Sequence, residues 1–206
     1  MSAFSQIQLI GLSKRFRGEW LFKSIDYGFK PTDRISILGP NGSGKSTFLK
    51  IISGYMAPTE GSVEWQTSSN VEVEHWHKLY SYCAPYQEYI EEFTLRESID
   101  FHFSLKTQRE IDLQSWLGET KLAGHMNKRI SRFSSGMKQR LKLILTLATA
   151  SSVYFLDEPC SNLDEDGVTW YSKRVRELPV ESIVLIASNS PKEYEICTQQ
   201  IHIDQF

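Results

Sequence analysis

The sequence predicts an α/β fold in which a core of buried strands and helices is accompanied by short early strands and interrupted by a helical subdomain. Three observations lead there. The short apolar runs "RISILG" (34–39), "VYFLD" (153–157) and "SIVLIAS" (182–188) have the length and composition of strands buried on both faces. A glycine-rich junction, "GPNGSGKST" (39–47), joins the first of them to an apolar-periodic segment of helical character. Between them, strand signals fade after the first third of the chain and return only beyond Ala150.

Element by element, "IQLIGLS" (7–13) reads as a strand, and "SIDYGFK" alternates Ile25, Tyr27 and Phe29 with small or polar residues. "RISILG" follows, then the helix "STFLKIISG", whose Phe48, Leu49, Ile51 and Ile52 face a core and whose end is marked by Gly54. "SVEW" and "VEVEH" alternate again around "TSSN". "TLRESIDFHFSL" opens with a capping box, Thr94 and Glu97, and repeats Leu95, Ile99 and Phe103 at four-residue spacing, which predicts a helix. "FSSGMKQR" (133–140) reads as a helix start with no acidic residue. A further helix begins near Asp164. The helical subdomain is expected over residues 87–150. Residues 1–86 and 151–206 supply the α/β core and an antiparallel β subdomain.

Composition narrows the function. The 206 residues are 40% hydrophobic and 23% charged with net charge −2, which gives no global attraction to nucleic acid or anionic membranes. The opening residues lack the basic-then-apolar order of a signal peptide. No apolar run approaches the roughly 18 residues of a membrane span; Leu141–Ala150 is short and contains Lys142. Cys83, Cys160 and Cys197 are too far apart for a zinc motif or disulfide framework, which suits a reducing compartment. His75 and His77, flanking Trp76 in an expected strand, lack a third ligand and read as surface histidines.

The chemistry sits at two strand ends. "GPNGSGKST" matches G-x-x-x-x-G-K-[ST] as Gly39, Gly44, Lys45 and Ser46, with a strand before it and a helix after it. Gly39, Pro40, Asn41, Gly42, Ser43, Gly44, Lys45, Ser46 and Thr47 thus form a candidate triphosphate loop. Its glycines allow close backbone approach, and the helix brings roughly +0.5 of a charge to the phosphates. Lys45 reaches the β- and γ-phosphates, and the Ser46 hydroxyl ligates Mg²⁺. In "VYFLDEP", Asp157 ends a strand where α/β proteins place ligand groups and is the second candidate for the Mg²⁺ shell. Glu158 stands next to it, as a carboxylate able to polarise an attacking water.

With those two motifs placed, the whole chain resembles the ATP-binding cassette (ABC) ATPases, and so a P-loop NTPase core of the RecA-like type. "GPNGSGKST" resembles the family's Walker A, "VYFLDEP" its Walker B, "FSSGMKQR" its signature and "SNLD" (161–164) its D-loop. The resemblance implies that Ser134, Ser135 and Gly136 contact the phosphate of an ATP held by another copy, and that Asp164 lies at the nucleotide interface while also serving as a helix cap. It implies that Gln87 is the glutamine that touches Mg²⁺ and couples the nucleotide to a transport partner. Phe16, otherwise an ordinary core aromatic, becomes the residue that stacks on adenine. Two departures stand out. The signature carries Phe133, Ser135 and Met137 where the family has Leu, Gly and Gln. Asn189, in "VLIASNS", stands at the switch-histidine position; it can donate a hydrogen bond to the γ-phosphate but cannot relay a proton.

The implied function is the ATP-binding and hydrolysing subunit of an ABC transporter, of a compact, exporter-like type. It forms a homodimer around two ATP and Mg²⁺ and drives a separate integral membrane subunit from the cytoplasmic face. Tyr86, Tyr89 and Phe93, near Gln87, are either the docking face for that subunit or subdomain core. Asn189 makes slow hydrolysis an expectation. The alternatives are a non-transport ABC ATPase, disfavoured by the lack of a basic run or zinc cysteines, and a weakly hydrolysing nucleotide-dependent regulator.

Overall fold

The computed structural model describes residues 4–67 and 78–206, with side chains from Gln6 onward. The expected strand "VEVEH", with His75, Trp76 and His77, lies outside the described residues.

Strands β1 (Phe4–Phe16) and β2 (Glu19–Phe29) form a long hairpin turning at Arg17 and Gly18, both at positive φ. Next come β3 (Arg34–Leu38), helix α1 (Lys45–Ile52), β4 (Glu60–Thr67) and β5 (Tyr80–Cys83). Helices α2 (Leu95–Leu105), α3 (Leu113–Glu119) and α4 (Ser135–Ala148) occupy the middle. The chain closes with β6 (Val153–Asp157), α5 (Glu165–Arg176), β7 (Ile183–Ala187) and β8 (Gln199–His202).

Two sheets result. One is antiparallel with order β2-β1-β4; the other is parallel with order β5-β6-β7-β3-β8. Alternation divides the parallel strands between two cores. Val153, Phe155, Ile183, Leu185, Ile35 and Ile37 pack with α1 and the antiparallel sheet through Leu9, Phe22 and Phe29. Tyr154, Leu156, Val184 and Ile186 face the opposite side and pack with Leu95, Trp116, Leu141, Ile144 and Tyr171 of the helices. Burial on both faces is why β6 and β7 read as unbroken apolar runs.

The helix starts follow local chemistry. Thr94 and Glu97 make the expected capping box: Thr94 Oγ1 accepts from the Glu97 amide at 3.2 Å, and Glu97 Oε2 accepts from the Thr94 amide at 2.7 Å. Ser134 caps α4 by accepting from the Met137 amide at 3.2 Å, and Asp164 caps α5 by accepting from the Gly167 amide at 2.9 Å. Helix α1 ends with Gly54 at φ 78, and the Trp65 indole donates to the Ile52 carbonyl at 3.0 Å.

Strands β5 and β8 carry no clear sequence signal. "YSYC" reads as polar, yet the rings of Tyr80 and Tyr82 lie 5.6 and 5.7 Å from Phe155 across the sheet. Strand β8 is an edge strand on which only Ile201 is buried. Cys83, Cys160 and Cys197 are free. Among the described residues no helix is long and apolar enough to cross a membrane.

Candidate functional site

Strand register brings the motifs to one edge. Asp157 pairs with Ala187, and Ala187 with Ile37, so the loops after β6, β7 and β3 leave the sheet at the same level. This is the carboxyl end of a parallel sheet, where such folds bind ligands.

The loop after β3 needs its glycines. Gly39, Gly42 and Gly44 have φ of 147, 83 and 105°, in the region that glycine enters without strain. A Cβ at Gly44 would lie 2.6 Å from Leu21 Cδ2, and one at Gly39 would lie 2.5 Å from Ser43 Oγ and 3.0 Å from Ile203 Cγ2. Helix α1 has no acidic residue in its first turn. Lys45 is buried, and its ammonium donates to the carbonyls of Gly39 at 2.7 Å and Pro40 at 3.1 Å. The cation is thus held by neutral dipoles that a phosphate can replace.

Ser46 Oγ donates to Asp157 Oδ1 at 3.0 Å. Asp157 is almost wholly buried, and its Oδ2 has no hydrogen-bond partner. Burial, opposed by the Ser46 hydrogen bond and aided by Glu158, raises its pKa above the usual carboxylate value. A hydroxyl and an orphaned carboxylate oxygen are hard donors that suit Mg²⁺. Among the described residues no cluster of three or more His, Cys, Asp or Glu could hold a metal.

Glu158 is exposed and sits at φ 44, in the left-handed region, with its amide bonded to the Ala187 carbonyl at 2.8 Å. Non-glycine residues there carry strain on the order of 1–3 kcal/mol and concentrate at functional sites. Glu158 shares a cavity of about 320 Å³ with Phe16, Leu21, Asn41, Gly42, Gly44, Lys45, Ser46 and Thr47. Phe16 is not a core aromatic: it is 47% exposed on the hairpin, with Lys14 Nζ 5.0 Å from its ring centre. Asn189 donates through Nδ2 to Asn41 Oδ1 at 2.9 Å and so joins the same loop.

Gln87 makes no hydrogen bond to Ser46 or Asp157 among the described residues. Its Oε1 accepts from the Ala84 amide at 3.0 Å and its Nε2 donates to the Tyr82 carbonyl at 3.1 Å, which spends the amide on its own loop. Tyr86 instead lies beside Asp157 and contributes to its acidity. Tyr86, Gln87 and Tyr89 line a second cavity of about 660 Å³ with Lys50, Tyr55 and Lys106. Phe93 is apart from it and packs edge-on against Phe101 of α2 at 5.7 Å.

Ser134, Ser135 and Gly136 do not line the Lys45 cavity. Ser134 and Ser135 are exposed, and the first turn of α4 carries no acidic residue. Gly136 has a local reason to be glycine, since a Cβ would stand 3.0 Å from the Asn162 carbonyl oxygen. Both oxygens of Asp164 accept from Arg140 Nη2 at 2.7 Å, which ties the loop before α5 to α4. Arg140, then the Gly167 amide, holds the Asp164 carboxyl below its usual pKa. The sequence did not single out Arg140 or Leu21, and it pointed to Tyr86 only as a docking or core aromatic, not as a neighbour of Asp157. Of the first two, Arg140 alone had a visible signal, as a basic residue one turn into the helix starting at "SSG".

Residues 22–161 match the family described as ABC transporter. The chain is 28% identical over 200 residues to the uncharacterized ABC transporter ATP-binding protein YxlF of Bacillus subtilis, covering 95% of this chain and 66% of YxlF. It is 26% identical over 162 residues to the spermidine/putrescine import ATP-binding protein PotA of Mycoplasma mycoides, covering 77% of this chain and 46% of PotA. The fold superimposes on the dimeric structure of MJ0796, a bacterial ABC transporter cassette, with a TM-score of 0.76 at 21% identity, over 96% of this chain and 95% of that one. The family match spans more than half of the 206 residues, and the chain belongs to the ABC transporter family.

Proposed function

We propose that this chain hydrolyses ATP between two copies of itself and uses the cycle to drive a separate membrane-spanning subunit from the cytoplasmic face. The observation that carries this is that Phe16, Lys45, Ser46 and Glu158 line one cavity while the Ser134–Gly136 helix start lies exposed outside it. One copy then offers a complete phosphate cradle and lacks a cover for the γ-phosphate. A second copy, turned head to tail, supplies the cover from its α4 start, where unpaired N–H groups and the helix dipole favour an anion.

Within one copy, the Phe16 ring stacks on the adenine. Lys45 leaves the carbonyls of Gly39 and Pro40 for the β- and γ-phosphates. Ser46 Oγ and Asp157 would hold Mg²⁺, which would supply positive charge to offset that of the phosphates. Glu158 orients and polarises the attacking water, and Asn189 donates a hydrogen bond to a γ-phosphate oxygen. Because an amide cannot take up a proton, turnover is slower than with histidine at 189. Gln87 reaches the metal only by giving up its bonds to Ala84 and Tyr82, so its coupling role needs the loop after β5 to rearrange. The 660 Å³ cavity beside that loop, rich in tyrosine and lysine, is the proposed docking face for the membrane subunit.

The test is ATP turnover by the purified chain beside Glu158→Gln. We expect the variant to bind ATP with unchanged affinity and to lose about 10²- to 10⁴-fold in turnover, the usual contribution of a positioned general base. Turnover retained in Glu158→Gln would remove Glu158 from the mechanism.

A further inference from the structure

One face of α4 is bonded to the end of β5 and the turn that follows it. Gln139 Nε2 reaches Cys83 Sγ at 3.8 Å. Lys142 Nζ donates to the carbonyls of Ala84 at 3.1 Å and Pro85 at 2.7 Å, and Thr146 Oγ1 donates to the Tyr82 carbonyl at 3.1 Å. Positions 139, 142 and 146 share a helix face, so their side chains bond consecutive residues of one segment, 82–85. That segment leads directly into Gln87.

Two of these carbonyls are the ones that Gln87 uses. The Ala84 carbonyl accepts from the Gln87 amide at 3.2 Å as well as from Lys142. The Tyr82 carbonyl accepts from Gln87 Nε2 at 3.1 Å as well as from Thr146. The Ala84 amide closes the turn by donating to Gln87 Oε1 at 3.0 Å. The turn that withdraws the Gln87 side chain is thus clamped from outside by an ammonium and a hydroxyl of α4. A buried ammonium is a costly way to fill this space. Lys142 is 8% exposed, burial pulls its pKa down, and both of its acceptors are neutral. An apolar side chain would pack there without that cost but would leave the turn unheld. The clamp and the Ser134–Gly136 start proposed as the cover for another copy's γ-phosphate lie on the same helix.

We propose that Lys142 and Thr146 are positioning residues for Gln87, clamping the turn after β5 so that Gln87 stays bonded to its own backbone until the clamp opens. This rests on the assignment of Gln87 to the Mg²⁺ shell. It adds that the availability of Gln87 is set from α4, by two side chains that do not line the Lys45 cavity. Removing the clamp is then a gain: the withdrawn turn loses support, and Gln87 is freed for the metal more often.

The test compares Lys142→Met and Thr146→Val with the parent chain. Each substitution keeps the approximate shape and removes the donors. Both leave the Ala84 and Tyr82 carbonyls bonded to Gln87, and the carbonyl of exposed Pro85 can be hydrated. The first measurement is amide hydrogen exchange in the nucleotide-free protein. Ala84 and Gln87 should exchange roughly tenfold faster in Lys142→Met, as expected for loss of bonds from a charged donor, and by a smaller factor in Thr146→Val, while α1 amides keep parental rates. The second is ATP turnover against free Mg²⁺. The half-activating concentration should fall roughly threefold or more in Lys142→Met, and less in Thr146→Val. On a Gln87→Ala background neither substitution should move it. Parental exchange at Ala84 and Gln87 in both variants overturns the proposal. So does faster exchange throughout α1, which marks general destabilisation, or a half-activating Mg²⁺ concentration that rises or stays parental. If Gln87→Ala alone leaves the Mg²⁺ dependence unchanged, the assignment of Gln87 to the metal fails, and exchange at Ala84 and Gln87 decides whether α4 clamps the turn.

Discussion

Asn189 Nδ2 donates to Asn41 Oδ1 across 2.9 Å, so the loop after β7 and the phosphate loop after β3 are joined side chain to side chain. The pair is exposed and neutral, and therefore readily broken when a stronger acceptor arrives. A γ-phosphate oxygen is such an acceptor. Asn189→Ala should lower turnover roughly tenfold through loss of one hydrogen bond to a charged group, with a smaller effect on ATP affinity. Asn189→His should raise turnover above the parent. If single-site turnover is the same in all three proteins, Asn189 has no part in hydrolysis and its bond to Asn41 only shapes the empty loop.

Gly44 is the most constrained position of the phosphate loop. Its φ of 105° is strained for any other residue, and a Cβ would come within 2.6 Å of both Cγ and Cδ2 of Leu21. Leu21 cannot simply turn aside, because the contact reaches its branching carbon. Gly44→Ala should cost about 2 kcal/mol of stability, or roughly 4–8 °C in melting temperature for a chain of this size. Weakening of ATP binding by at least about tenfold is also expected, since the loop must open where the β-phosphate would sit. Thermal denaturation and nucleotide titration check the two effects separately. A variant with parental melting and parental affinity would show that the loop tolerates the side chain.

The strands and helices that carry the phosphate loop and the Asp157–Glu158 pair were legible because each has a local cause. Strands β3, β6 and β7 are apolar on both faces, α1 follows a glycine-rich turn, and Thr94 with Glu97 announces α2. What was illegible depends on neighbours. Tyr80 and Tyr82 make β5 a strand only by packing on Phe155, and β8 is held by pairing with β3 rather than by its own composition. The same distinction separates the site residues. Lys45, Ser46 and Asp157 were found by spacing along the chain. The Arg140–Asp164 bridge and the proximity of Tyr86 to Asp157 arise from contacts between distant segments. The orientation of Gln87 belongs with them: its position in the chain points to the metal, but two backbone groups within its own turn satisfy its amide first.

His102 gives the fold a measurable response to acid. Its Nε2 lies 2.8 Å from Thr149 Oγ1, and that hydroxyl already donates to the Leu145 carbonyl at 2.7 Å. The threonine oxygen must therefore accept, which places a proton on Nε2. Burial, reinforced by the nearby Lys106 charge, lowers the His102 pKa from 6.5 to about 4. Above pH 6.5 the ring is neutral folded and unfolded, and the full stability is present. Between pH 6.5 and about 4 the unfolded chain binds a proton that the folded chain refuses, so stability falls as the pH is lowered through this window. Glutamine at 102 can donate to Thr149 without titrating. Urea midpoints measured at pH 7.5 and pH 5 should drop further in the parent than in His102→Gln, because every other titrating group is common to the two proteins. Equal drops in the two proteins would mean that His102 is protonated in the folded chain as easily as in water, and that neither burial nor Lys106 holds it neutral.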